Sequence, residues 1–139
     1  MLRETREYED YDGVVRKEDF YFNLSKAELT EMELSNEGGL ENYIQKIIDS
    51  KDGKKIIEVF KSLLLKSYGI KSDDGRRFIK SEEISKGFSE TPVYSEMFME
   101  LATDDEKAAR FVNGILPKDL AEQVAKMEKE KGLKEIENA

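Results

Sequence analysis

The hydrophobic pattern of this chain changes its period near Asn23, and that change constrains the fold more than any other feature. Up to Phe22 the chain reads as extended, with Phe20 and Phe22 two residues apart and so on one face. At "NLSKAEL" it turns helical. Ser25 as N-cap and Glu28 three residues later form a capping box, while Leu24 and Leu29 are spaced to staple the first turn. Upstream, Asp12-Gly13 has the composition of a two-residue type I′ turn, which makes the first segment a β-hairpin. In that register Tyr11 faces Val14, Glu9 faces Arg16, Tyr8 faces Lys17 and Arg6 faces Asp19, although Glu7 then meets Glu18. A lone hairpin is marginal in water, so other elements must cover its apolar face. The expected fold is therefore α+β, mainly α: a hairpin over residues 1–23 packed on a bundle of about five or six helices within residues 24–117.

The first helix is expected to end near Asn36, before Gly38-Gly39. Leu40, Tyr43, Ile44, Ile47 and Ile48 then repeat at helical spacing, up to a break at Asp52-Gly53. The next segment, "KKIIEVFKSLLLKSYG", is the most apolar of the chain and reads as the core helix, with Gly69 placed to cap it. Further on, Ser81 caps a helix with Glu82 and Glu83 in its first turn, and Thr91-Pro92 is an N-cap and N1 pair. Thr103 with Glu106 reads as a second capping box, opening a helix that closes at Gly114. Residues 1–117 are expected to form one domain. The charge-balanced segment 118–139 reads as a partly helical tail, supported by Glu122–Lys126 and Glu130–Lys134 pairs on its solvated face.

Between the core helix and Ser81 lies "KSDDGRRFIKSEE", which resembles a calcium loop at first sight. With Ile79 at position 8, Glu83 falls at position 12, but Arg76 and Arg77 then occupy the fifth ligand position and the turn glycine. Two guanidinium groups would sit where the cation belongs. The segment reads instead as a tight turn at Asp73-Asp74-Gly75 between two short extended pieces, a second small hairpin. No metal is expected here, and the basic cluster of Lys71, Arg76, Arg77 and Lys80 reads as a solvated loop.

Composition narrows the chemistry. The 139 residues contain no histidine and no cysteine, which removes the usual neutral-pH base, the commonest transition-metal ligand and all thiol chemistry. "NEGGLENY" lacks the lysine and spacing of a phosphate loop. No catalytic residue and no cofactor is expected. A net charge of −8 opposes nucleic acid. No run of apolar residues is long enough to span a bilayer, and "MLRETREYED" has no signal-like apolar core, so neither membrane insertion nor export is expected.

The stretch "TPVYSEMFMELA" remains. Tyr94, Met97, Phe98 and Leu101 repeat at helical spacing, as in any buried helix, whereas Met99 lies off that stripe. Flexible thioethers suit surfaces that accept apolar segments of varied shape. Core and binding groove are both open readings, and Tyr94, Met97, Phe98, Met99 and Phe111 are the candidate partner-binding residues.

Taken in order, "YDGVVRKEDFYFNLSKAELTEMELS", "GGLENYIQKIIDSKDGKKIIEVFKSLLLKSYG", "DGRRFIKSEE" and "FSETPVYSEMFMELATDDEKAARFVNGILP" resemble the tail assembly chaperones of long-tailed bacteriophages, from about Tyr8 to Pro117. The resemblance implies a small, mainly helical protein of the host cell cytoplasm that is absent from the finished virion. It also implies two partners: the tape measure protein, which such chaperones keep soluble, and the tail tube protein that assembles around it. In many relatives a frameshift near the end of the gene yields a longer product. Homo-oligomerisation is a further expectation, because an assembly lets many weak contacts act along one long client. The rival readings are an acidic inhibitor or decoy for a host protein and a minor structural subunit of the tail.

Overall fold

The computed structural model describes residues 1–35 and 53–118. The N-terminal hairpin is β1 (Leu2–Glu9) and β2 (Val15–Phe22), followed by α1 (Lys26–Ser35) and α2 (Gly53–Ser67). Next come β3 (Tyr68–Lys71), β4 (Phe78–Ile79), α3 (Glu82–Ser89), α4 (Pro92–Thr103) and α5 (Asp105–Ile115). The class is α+β as expected, with five helices among the described residues. The expected end of the first helix beyond Ser35, the stripe from Leu40 to Ile48 and the charged segment beyond Lys118 lie outside them.

The four strands of the described residues belong to one antiparallel sheet in the order β1-β2-β3-β4. The small hairpin around Gly75 is β3-β4, and Tyr21↔Gly69 and Phe22↔Tyr68 join it to the N-terminal hairpin. Its turn is built from side chains: Asp74 accepts from the Ser72 hydroxyl at 2.7 Å and from the Arg76 N–H at 3.0 Å, with Gly75 at φ 74°.

The register of the first hairpin differs by one residue from the expected one. Strand pairing runs Leu2↔Phe22 to Glu9↔Val15, with Tyr8 opposite Arg16 and Glu7 opposite Lys17. The turn is not type I′, which needs positive φ at both central residues, because Gly13 has φ 80° and no non-glycine residue among those described is positive. It is a three-residue loop, Tyr11–Gly13, closed by Asp10 N–H to Val14 O and Gly13 N–H to Asp10 O. The Asp10 carboxylate accepts from the Asp12 and Val14 N–H groups, both at 2.9 Å, and from Arg16 Nε at 2.6 Å. Arg16 is the first cause holding Asp10 below the usual carboxylate range, with these N–H groups adding to it. Packing explains the shift. Opposed residues share a face, so this register sets Leu2 opposite Phe22 and turns Tyr8 to the same face, where its ring meets Phe20 edge-on at 6.2 Å, whereas the other would have turned Arg3 and Thr5 to that face. It also replaces the Glu7–Glu18 clash by Glu7 opposite Lys17.

Several helix ends form as their sequences require. Ser25 and Glu28 close the capping box, with Ser25 N–H to Glu28 Oε1 at 3.0 Å and Glu28 N–H to Ser25 Oγ at 3.2 Å. Ser81 and Thr91 cap α3 and α4, with Pro92 at the start of α4. Three ends differ. Thr103 is the last residue of α4, its hydroxyl bonded to Met99 O, and Asp104 caps α5 by accepting from Glu106 and Lys107 N–H. A carboxylate is a better acceptor for these two donors and complements the helix dipole. Gly114 lies inside α5, where a β-carbon would come within 2.9 Å of Leu2. Gly69 is no cap either; it is a strand residue pressed against β4, where a β-carbon would meet the Phe78 ring at 2.8 Å and Ile79 O at 3.0 Å.

The core gathers on the face of the sheet that carries Phe20 and Phe22. It contains these two, Leu24, Leu29, Phe60, Leu63, Leu64, Phe88, Val93, Met97, Leu101, Ala108, Phe111, Val112 and Ile115. Leu24 and Leu29, the expected staple pair, are both fully buried. Lys80 is not a loop residue in function: its ammonium meets Asn23 O at 2.6 Å and Glu28 Oε2 at 2.5 Å, tying the end of β4 to the start of α1. Burial works against the Glu28 charge, but Lys80 and the Ser25 N–H and hydroxyl outweigh it and hold its carboxyl below the ordinary glutamate range.

The close approach at Gly69 is testable. Gly69→Val should lower stability by about 1–3 kcal/mol through overpacking. Gly75→Ala, with open space around it but positive φ, should lose about 1–2 kcal/mol from backbone strain. Urea denaturation of both variants measures the two effects, and a Gly69→Val protein as stable as the parent would refute the tight β3–β4 contact.

Candidate functional site

Without histidine or cysteine, any site must be built from carboxylates, amines, hydroxyls and apolar surface. Among the described residues no group of three or more aspartates and glutamates is placed to hold a metal ion. What the described residues do present includes two open clefts and a scatter of exposed apolar side chains.

The first cleft, about 450 Å³, lies between β1 and the pair α4–α5. Met97, Leu101 and Phe111 supply its apolar floor, and Arg6, Glu100, Lys107 and Arg110 its charged walls. Arg6 crosses it to grip Glu100 with two hydrogen bonds, 2.8 and 2.7 Å, and lies 3.5 Å from Glu4. The hydrogen bond from Arg6 is the main cause holding the Glu100 carboxyl below its ordinary range, against partial burial, and the same bond raises Arg6. The second cleft, about 530 Å³, is bounded by α2, α3 and α4, with Leu65 and Tyr94 among polar side chains such as Lys61, Glu82 and Lys86.

The five residues singled out from sequence do not converge on one site. Met97 and Phe111 are buried to 1% and 3% exposure and belong to the core as well as to the floor of the first cleft. Tyr94 and Phe98 are half-buried and pack ring to ring at 6.1 Å, and Tyr94 also meets Phe88 edge-on at 5.8 Å. Met99 alone of the five is well exposed, at 54%. Tyr11, Val14 and Val15, which sequence reasoning passed over, are also exposed at the hairpin tip. The distal half of β2, from Val15 to Asp19, is exposed on both faces. The available signal was two consecutive valines at the entry to a strand: adjacent side chains there point to opposite faces, so a sheet covered on one face leaves at least one of them in water.

The Arg6–Glu100 pair has a defined pH signature. A carboxyl depressed in the folded state stabilises fully above the ordinary glutamate value of about 4.3, and the contribution is lost as pH falls through the folded value. The pair is partly solvated, so Glu100→Gln should cost about 1 kcal/mol at pH 7. The gap to the parent should close as pH falls below about 4. Thermal or urea unfolding between neutral and acidic pH checks this; a gap that is constant with pH would show that the ion pair is not its source.

The arrangement offers apolar contacts inside an acidic, heavily charged surface and no constellation for bond chemistry among the described residues. A family model described as phage tail assembly chaperone matches residues 1–139, the whole of the sequence. No curated protein and no solved structure matches the chain. Membership in a chaperone family implies a non-enzymatic role. The chain belongs to the phage tail assembly chaperones.

Proposed function

We propose that the chain binds the tape measure protein of a long-tailed phage in the host cytoplasm, keeps it soluble, and helps tail tube protein subunits assemble around it. The chaperone itself is then absent from the mature virion. Family membership over the full sequence carries this reading. A long helical client awaiting its tube exposes aggregation-prone apolar surface. The chain offers such a client exposed apolar side chains, Met99 foremost, and a net charge of −8 that keeps a complex in solution. Binding by this surface calls for neither nucleotide nor metal. Release then follows from competition, tube subunits displacing the chaperone as they bind.

Co-expression of the chaperone with its tape measure protein tests the reading by how much client stays soluble. Met99→Asp changes an exposed position and leaves the core intact, whereas Phe98→Asp would also disturb the ring contact with Tyr94. A charge inside an apolar contact costs about 2–3 kcal/mol, so Met99→Asp should weaken client binding roughly 30- to 150-fold and move most client to the pellet. A folded Met99→Asp protein with full rescue would exclude Met99 from the contact. Mass spectrometry of purified virions checks the other half, since chaperone found there in stoichiometric amount would contradict its release.

A further inference from the structure

The sheet ends on one side at β1, an eight-residue strand whose outer edge has no partner among the described residues. A long open edge invites pairing with another chain, so the charges along it decide what can pair. Asp10 N–H bonds to Val14 O across the hairpin, and hydrogen-bonded pairs alternate, so the even-numbered residues of β1 bond to β2. The odd-numbered residues Arg3, Thr5, Glu7 and Glu9 therefore aim their N–H and C=O groups at the open edge. Their side chains are exposed, and neither Arg3 nor Glu7 has an ion-pair partner among the described residues.

Leu2–Tyr8 reads L-R-E-T-R-E-Y, a sequence that complements itself when reversed. Two such strands running antiparallel about a two-fold axis at Thr5 set Leu2 against Tyr8, Arg3 against Glu7, Glu4 against Arg6, and Thr5 against its copy. Every charge from Arg3 to Glu7 then meets its opposite, while Glu9 lies opposite Met1. The same register matches odd residues with odd, as edge hydrogen bonding requires. Sliding the strands by the next allowed steps puts Glu4 against Glu4 or Arg6 against Arg6 on the axis, and one step further puts Arg3 against Arg3 or Glu7 against Glu7. Like charges directly opposite are destabilising, so the strand selects one register of itself. The cleft between β1 and α5 leaves space on the inner side over Glu4 and Arg6.

We infer that β1 is a homodimerisation edge: two copies pair β1 to β1, antiparallel and centred on Thr5, into one continuous eight-stranded sheet. The occupant is a second copy of this chain because the charge order fits itself. The inference stands apart from which client the chaperone carries.

Charge reversal tests it. Sedimentation equilibrium of the full chain at high micromolar concentration should show a dimer. Arg3→Glu sets the new carboxylate against Glu7 twice across the axis, and Glu7→Lys sets the new ammonium against Arg3 twice, so each variant alone should sediment as a monomer. Mixed in equal amounts, the two are complementary at all four positions and should form a 1:1 heterodimer, which requires that both be folded. A monomeric parent, a dimer indifferent to both substitutions, or a mixture that stays monomeric would each overturn the inference.

Discussion

Everything in the packing turns on Phe22, the last residue of β2. Its ring is fully buried and lies 5.4 to 5.7 Å from three other rings: Tyr68 on β3, Phe88 on α3 and Phe111 on α5. Phe88 in turn stacks on Tyr68 at 4.1 Å and meets Phe20 and Tyr94. One strand end therefore meets the second hairpin and two helices through tilted and edge-on contacts, which add to the value of buried aromatic area. The backbone leaves β2 at the same point and is fixed there by Asn23 N–H to Ser67 O and Leu24 N–H to Ile115 O. The second bond also satisfies a carbonyl at the end of α5 that would otherwise lack a partner.

That arrangement explains which parts of the fold were legible from residues alone. Local signals with a single chemical meaning held: the Ser25–Glu28 box, the Ser81 cap, Thr91-Pro92 and the Gly75 turn. The change of period near Asn23 gave the class. Signals whose meaning depends on a distant neighbour did not hold. Gly69 and Gly114 look like helix terminators in sequence, yet each is small because another chain segment passes close by, Phe78 in one case and Leu2 in the other. The hairpin register failed for a related reason. Asp12-Gly13 suits more than one loop, and the choice was made by where Leu2 and Tyr8 had to go to cover Phe22 and Phe20, together with a carboxylate at Asp10 that completes the longer loop.

The candidate site was less legible, because a core stripe and a binding stripe on a helix have the same spacing. Tyr94, Met97, Phe98 and Leu101 follow the period, and the structure divides them by depth and not by residue type. Met99 stood out because it broke the period, and it is the residue left in water. The hairpin tip was missed because strand alternation predicts which face a residue occupies, but not how far the covering helices extend along it.

Five of the exposed apolar side chains share a chemical setting: Tyr11 sits between Asp10 and Asp12, Val15 beside Arg16, Ile57 beside Glu58, Ile70 beside Lys71, and Met99 beside Glu100. Single apolar residues with a charge beside them do not drive a protein to aggregate with itself. They also bind weakly, because each removes little surface from water and association must first overcome the loss of free motion. Strength with such a surface comes from repetition, since linked copies convert later contacts into intramolecular ones at high effective concentration. On the proposed function, a surface of weak contacts therefore favours joining copies of the chain. It would also permit release in steps, because displacing one weak contact does not require breaking the rest.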